Sequence, residues 1–334
     1  MTFEDLRSMA AGFQPAKLLL EALDVGVFDL LEEGPLGAAE VAQRFGLDSR
    51  ATRLMLDALV GQGLLELGDE RYRNAEPARL FLVKGSPEYR GEILRHLHNT
   101  WEDWNELGQT WKTGRPTLRR KTQQLPSTAE GTRHFILGME NLTRDLAPHL
   151  AERLPLEGRT RLLDLGGGPG NYSLAFVQRW PGLEAVHFDL APTSEIAREF
   201  LGGKPGAERI SFLEGDFLST PLGEGYDFVW ASQILHMLGE EEVQALLGRI
   251  SQALVGGGLV AAHDHFLEED RTRPPTASLF GVHMLVATAR GRTYSIAEVE
   301  QWMRNAGLEP QEVVDYGGPA RVLLGRKLPG RGSE

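Results

Sequence analysis

The chain reads as an α/β protein: a doubly wound sheet closed by a C-terminal antiparallel hairpin and preceded by a mainly helical winged-helix domain. Three observations predict this. From Thr160 onward short apolar runs alternate with helical stretches, the signature of βα units. The first of those runs, Arg161 to Leu165, opens straight into Gly166-Gly-Gly-Pro-Gly170 and then a helical pattern. Before residue 90 the order is different: an apolar helix, a helix-turn-helix and a short hairpin.

Composition bounds the classes open to such a chain. At 334 residues it is long enough for roughly two domains with cores of their own. With 41% hydrophobic and 25% charged residues it has the make-up of a soluble globular protein, so no disordered segment is expected. The formal charge of -12 lacks the surplus of Lys and Arg that nucleic acid or an anionic membrane requires. The absence of cysteine excludes disulfides, thiolate metal sites and cysteine nucleophiles, and suits a reducing, cytoplasmic setting. Met1-Thr-Phe-Glu-Asp-Leu-Arg7 lacks the basic start and apolar core of a signal peptide, and no apolar run reaches the ~18 residues that span a bilayer.

In chain order, Pro15 to Leu31 places apolar residues at spacings of three and four over much of one helix. Gly37 to Phe45, the break at Gly46-Leu47-Asp48, and Ser49 to Gly61 follow as helix-turn-helix, with Ser49 the expected N-cap. Leu64 to Leu67, a turn at Gly68-Asp69-Glu70, and Arg71 to Arg73 complete a winged-helix pattern. A winged helix first suggests DNA. Here Arg50 and Arg53 are offset by Asp48 and Asp57, and the wing carries Asp69 and Glu70 beside Arg71 and Arg73, so the face is near neutral. Dimerisation and lid formation are the expected use.

From Gly91 to about Leu154 the pattern is helical, with Trp101, Trp104 and Trp111 at helical spacings, a loop around Gly114 to Pro116 and Gln124 to Ser127, then a helix from Phe135 to Leu150. Strands are predicted at Leu162 to Leu165, Ala185 to Leu190, Ile210 to Leu213, Phe228 to Ala231 and Leu259 to Ala262. Pro310 to Asp315 and Ala320 to Gly325 then form the closing hairpin, for a sheet of seven strands.

The strand ends carry the chemistry. A dinucleotide-binding turn wants G-x-G-x-x-G, and its third glycine position falls on Asn171. Asp164 ahead of Gly166, Gly168 and Gly170 instead resembles the first motif of methyltransferases that use S-adenosylmethionine (SAM). The second strand ends in Asp189-Leu190, roughly 20 residues past the turn, where an acid can accept both hydroxyls of a ribose. The third ends in Asp216-Phe217: a carboxylate for the exocyclic amine of adenine and a ring for stacking. Each acid alone could be a cap; in this order the three turns describe an adenosine-shaped site.

The fourth strand runs through Ser232 to His236. An imidazole there has the pKa to remove a proton from an attacking hydroxyl, though a lone histidine is also a common structural hydrogen-bonder. The fifth strand ends in His263-Asp264-His265. Strand alternation puts the two histidines on one face, where a metal would need a third ligand such as His283, and Asp264 on the other, where it could orient His236 or cap a solvated strand end.

This ordered set resembles the class I SAM-dependent O-methyltransferases of the plant caffeate, hydroxyindole and bacterial polyketide type, over nearly the whole chain. The likeness includes Gly215-Asp216-Phe217, Ile234-Leu-His236 before an acidic helix, Leu254-Val-Gly-Gly-Gly258 and Met303-Arg-Asn-Ala-Gly307. It implies SAM as cofactor, His236 as base supported by Asp264, and a cofactor set of Asp164, Gly166, Gly168, Gly170, Asp189, Leu190, Asp216, Phe217 and Ser232. It also implies a small-molecule acceptor lined by Trp101, Phe135, Met139, His283 and Met284, no metal, and a homodimer formed through the N-terminal domain. The expected division is residues 1–90 for dimerisation, 91–155 for a helical connector and lid, and 156–334 for catalysis. Plant members follow the base with Asp-Trp where this chain has Met237-Leu238; their basic residue four positions earlier falls on Ser232, and their second supporting glutamate on Thr293. These departures keep a sulfur or nitrogen acceptor open. The readings of another class are a nicotinamide oxidoreductase, against which Asn171 speaks, and a non-catalytic SAM-sensing or DNA-binding regulator.

Overall fold

The computed structural model describes residues 1–116 and 128–329, so the expected loop at Gln124 to Ser127 lies outside the described residues. The chain divides into two compact units, Met1–Asn99 and Thr100–Glu334.

In the first unit the expected single helix over Pro15 to Leu31 is two, Phe13–Val25 and Val27–Glu32, because Gly26 takes φ 90° and ends the first of them. Helices Ala38–Phe45 and Ser49–Gly61 follow, and the N-cap of the latter is Asp48, whose carboxylate accepts from the Ala51 N–H, rather than Ser49. Strands β1 (Leu65–Gly68) and β2 (Arg71–Asn74) pair antiparallel about Asp69 and Glu70, both in the left-handed region. Phe28, Leu31, Val41, Leu56, Leu59, Leu65 and Tyr72 are buried together as this unit's core. Arg53, Arg71 and Arg73 are ion-paired to Glu70, Glu40 and Glu66. Helix Gly91–Asn99, expected as the start of the connector, lies within this compact unit, where Arg95 donates to the Leu23 carbonyl at 3.0 Å. The opening helix Phe3–Ala11 is well capped by Thr2 and Asp5 yet buries none of its residues.

The second unit begins with helices Trp101–Asn105, Leu107–Thr113, Ala129–Thr143 and Leu146–Arg153, so the stretch expected as one helix from Phe135 to Leu150 is broken after Thr143. Its sheet comprises β3 (Arg161–Leu165), β4 (Glu184–Asp189), β5 (Ile210–Glu214), β6 (Tyr226–Ser232), β7 (Leu254–Asp264), β8 (Leu308–Val314) and β9 (Arg321–Lys327), in the spatial order β5-β4-β3-β6-β7-β9-β8. The first five are mutually parallel; β9 runs antiparallel to β7 and β8. The Rossmann-like sheet and its closing hairpin are as expected.

Strands covered on both faces are apolar without interruption. Leu163, Leu165, Val229 and Val260 pack toward helices Glu240–Ala253 and Ile296–Asn305, and Leu162, Phe228, Trp230 and Leu259 toward helices Leu146–Arg153 and Asn171–Arg179. Each such side chain contributes about 1.5–3 kcal/mol by leaving water. The chain leaves the sheet's centre in opposite directions after β3 and after β6, and the crevice that this reversal opens lies at the C-terminal strand ends. Among the described residues no helix is long and apolar enough to cross a membrane.

Candidate functional site

The glycine turn is held from β4. The N–H groups of Gly166 and Gly167 both donate to the Phe188 carbonyl, at 2.8 and 3.2 Å. Gly166, Gly168 and Gly170 take φ of 70°, 55° and 85°, which side chains rarely adopt. Their surroundings differ. A Cβ on Gly166 would lie 2.7 Å from Ile234 and one on Gly170 2.7 Å from Leu201, whereas one on Gly168 would meet nothing within 4 Å. Gly168 alone of the three presents bare backbone to open space, at the mouth of the helix that starts at Asn171. Asn171 itself donates to the Thr143 hydroxyl at 2.8 Å and so ties helix Ala129–Thr143 to this turn.

Asp164 stands behind the turn. Its carboxylate accepts from the Ser173 N–H and hydroxyl, at 3.1 and 2.7 Å, and burial pushes it above the usual carboxylate range despite those donors. It therefore braces the helix start from the interior and does not line the crevice. Asp189, partly exposed, accepts from Gly168 N–H at 2.9 Å and Leu190 N–H at 2.7 Å. Burial raises its carboxyl as well. A carboxylate has about four lone-pair sites, so both oxygens can accept again from a pair of hydroxyls. Asp216, two residues past the end of β5, is half-exposed, and its carboxylate accepts from the Leu218 N–H at 2.8 Å; Phe217 beside it is buried near Gly166.

At the end of β6 the chain bends sharply through Gln233, at φ 59°, and delivers His236 on a short 3₁₀ turn. His236 Nδ1 lies 2.7 Å from Asp264 Oδ1, and the backbone N–H of His236 donates to Oδ2 of the same carboxylate at 3.2 Å. Both side chains are buried. Burial alone would raise the Asp264 carboxyl, but the His236 imidazole, with the His265 N–H, holds it below the ordinary range. A carboxylate on Nδ1 keeps the ring's proton there and its lone pair on Nε2, the state of a general base.

The expected pairing of His263 and His265 on one strand face does not form, because β7 ends at Asp264 and alternation stops with it. His263 turns away from Asp264: its Nδ1 lies 2.8 Å from the Ser232 hydroxyl and its Nε2 2.9 Å from the Tyr316 hydroxyl. Ser232 is thus buried and bonded to the strand beside it. Burial lowers the His263 pKa to about 4, so the ring is neutral. His265 Nδ1 bonds the Pro319 carbonyl at 3.2 Å, and its ring lies against Phe280.

Phe280, on helix Pro275–Ala287, collects the acceptor-side rings. It stands edge-on to His236 with centroids 4.8 Å apart and contacts His265 and His283; His283 Nδ1 in turn accepts from Trp104 Nε1 at 3.1 Å. Phe280 was not among the residues expected to line the acceptor, nor was Trp104, one helical turn on from the expected Trp101. Trp101, Phe135 and Met139 are half-buried on their helices, and Met284 is buried. Thr293 is buried against Gly281, where a Cβ would come within 2.8 Å of its hydroxyl.

Comparison with known proteins gives this geometry its class. Residues 114–309 match the O-methyltransferase domain and residues 8–84 the O-methyltransferase dimerisation domain. The chain is 32% identical to 3-hydroxy-5-methyl-1-naphthoate 3-O-methyltransferase of Streptomyces sahachiroi, over 94% of this chain and 92% of that one. It is 31% identical to the N,N-dimethyltransferase OxyT of Streptomyces rimosus, over 78% and 77%. It superposes on the crystal structure of human N-acetylserotonin methyltransferase in complex with SAM with a TM-score of 0.86 and 26% identity, over 98% and 97%. The fold and site are those of a SAM-dependent methyltransferase acting on a small molecule. The chain belongs to the class I SAM-dependent O-methyltransferase family that carries an N-terminal dimerisation domain. The residues present suit that cofactor: open backbone at Gly168, acceptor capacity on Asp189, and Asp216 with Phe217 at the next strand end.

Proposed function

We propose that the acceptor atom is a hydroxyl oxygen and that His236 removes its proton. The 2.7 Å bond between His236 and Asp264, at the ends of strands flanking the crevice, carries this reading. Gly166 to Gly170 would hold the methionyl portion of SAM, Asp189 with Leu190 the ribose, and Asp216 with Phe217 the adenine, while Ser232 lines the cofactor side and Asp164 braces the turn. When bound, SAM supplies an electrophilic methyl group on a sulfonium. The chain's own residues align the acceptor, exclude water and take up its proton at His236 Nε2; Asp264 stabilises the imidazolium that results. Trp101, Phe135, Met139, His283 and Met284, with Trp104 and Phe280, would wall a small, partly aromatic acceptor.

The test is His236→Ala. SAM affinity by calorimetry stays close to wild type, and the rate on a hydroxyl acceptor falls on the order of 10²-fold or more. Near-normal turnover would favour the second reading, an amine or sulfur acceptor, which the likeness to an N,N-dimethyltransferase and the departures at Ser232, Met237 and Thr293 support. A nicotinamide cofactor is dropped with the family assignment.

We also read residues 1–90 as the dimerisation domain of a homodimer, 91–155 as connector and lid, whose first helix Gly91–Asn99 is part of the first compact unit, and 156–334 as the catalytic domain. The match to a dimerisation domain and the unburied opening helix support a second copy as partner. The ion pairs that engage Arg53, Arg71 and Arg73 speak against nucleic acid. The cysteine-free composition favours a cytoplasmic setting.

A further inference from the structure

Three consecutive residues of β4 bond back onto the glycine turn. Phe188 accepts from Gly166 and Gly167, Asp189 accepts from the Gly168 N–H, and His187 Nε2 lies 3.0 Å from the Gly168 carbonyl. A carbonyl oxygen can only accept, so Nε2 carries a proton. That ring is fully buried, and among the described residues its Nδ1 has no hydrogen-bond partner. Satisfying Nδ1 has thus been given up while Nε2 is spent on one carbonyl of the turn. The ring also fills the space behind the turn: a Cβ on Gly167 would lie 2.5 Å from His187 Cδ2. Gly168 is consequently gripped at both its N–H and its C=O, by side chains two residues apart on one strand, while its open side has no protein neighbour.

We propose that His187 is a positioning residue of the cofactor turn: its Nε2–H fixes the Gly168 carbonyl and so sets the plane of the backbone that the methionyl end of SAM lies against. The inference rests on the reading that Gly166 to Gly170 hold that end of the cofactor. It predicts a binding role, since no atom of His187 reaches the reacting groups. Losing the bond weakens SAM and leaves turnover at saturation intact.

Three variants and one measurement on the unaltered protein test this. His187→Phe keeps a ring of similar outline and removes the donor; the Kd for SAM by calorimetry rises about tenfold, the worth of one buried hydrogen bond, with kcat at saturating SAM within about twofold. His187→Gln places an amide Nε2 near the original donor and restores most of the affinity. Asp189→Asn serves as reference: if it leaves SAM affinity unchanged, the cofactor assignment of the turn falls. If Asp189→Asn weakens SAM while His187→Phe binds it normally, the role of His187 is overturned. Nitrogen-15 NMR of histidine-labelled wild type, assigned with the glutamine variant, shows the Nε2–H tautomer at neutral pH. A ring protonated on Nδ1 alone overturns the proposal whether or not the phenylalanine variant folds.

Discussion

Asp264 binds His236 twice, once through the ring Nδ1 at 2.7 Å and once through the backbone N–H at 3.2 Å, so one buried carboxylate fixes both the position of the turn and the tautomer of the ring. Asp264→Asn separates the two functions. The amide can still hold the backbone N–H through its oxygen, yet it no longer stabilises an imidazolium. The expected outcome is a kcat lower by on the order of 10²-fold or more, with SAM affinity within about twofold of wild type, measured by steady-state kinetics and calorimetry.

The glycines of the turn are held by different forces, and alanine scanning separates them. Gly170→Ala combines φ 85° with a Cβ 2.7 Å from Leu201, so it costs more than the roughly 1–2 kcal/mol of a left-handed alanine and lowers the melting temperature accordingly. Gly168→Ala, at φ 55° with open space ahead of it, carries the conformational cost alone. It melts closer to wild type but loses at least about tenfold in SAM affinity, because its methyl occupies the cradle. Equal SAM binding by Gly168→Ala and wild type would place the cofactor elsewhere.

His263 gives the chain a pH-dependent stability with a defined sign. Its folded pKa of about 4 lies below its ordinary 6.5, so the unfolded chain binds the extra proton between those values. The contribution of the neutral ring is therefore complete above pH 6.5 and is lost progressively as the pH falls toward 4. Urea unfolding at pH 7 and pH 5 shows the wild type losing stability, and a folded His263→Gln variant losing less over the same interval. An equal loss in both would mean that His263 is not the titrating group.

Helix Phe3–Ala11 leaves Phe3 79% and Met9 70% exposed, an apolar face with no cover in its own chain. Replacing Leu6 and Met9 by Asp adds charge at residues that are 50% and 70% exposed. Sedimentation equilibrium is expected to show a shift from dimer toward monomer, with the circular dichroism of the folded chain otherwise preserved. Unchanged self-association would remove this helix from the interface.

Much of the second unit was legible because its strands are short uninterrupted apolar runs, and because ligands of open α/β sheets gather at strand ends; that rule put Asp189, Asp216, His236 and Asp264 at or just past strand ends, where they stand. The rule does not distinguish a side chain that faces the crevice from one that braces it. The bonds of Asp164 to Ser173 and of His187 to the Gly168 carbonyl were therefore opaque in sequence, although Asp164 itself was read there as part of the glycine motif. The phase of His265 was misread because alternation was carried one residue past the end of β7. Phe280 sits on a helix whose surface is apolar nearly all round, so no periodicity marks the side that meets His236. The break after Thr143 did have a signal, which the reading of one helix from Phe135 to Leu150 passed over: Pro148, in the first turn of helix Leu146–Arg153, lacks the N–H that would continue the preceding helix.

The candidate cofactor contacts sit on strand ends and the turn after β3, whereas Trp104, Phe280 and His283 come from helices Trp101–Asn105 and Pro275–Ala287, outside the sheet. Substitutions on those helices alter the shape offered to an acceptor without disturbing strand register. On the proposed lining the scaffold is modular for engineering, and a library confined to those three helical positions is expected to sample new acceptors.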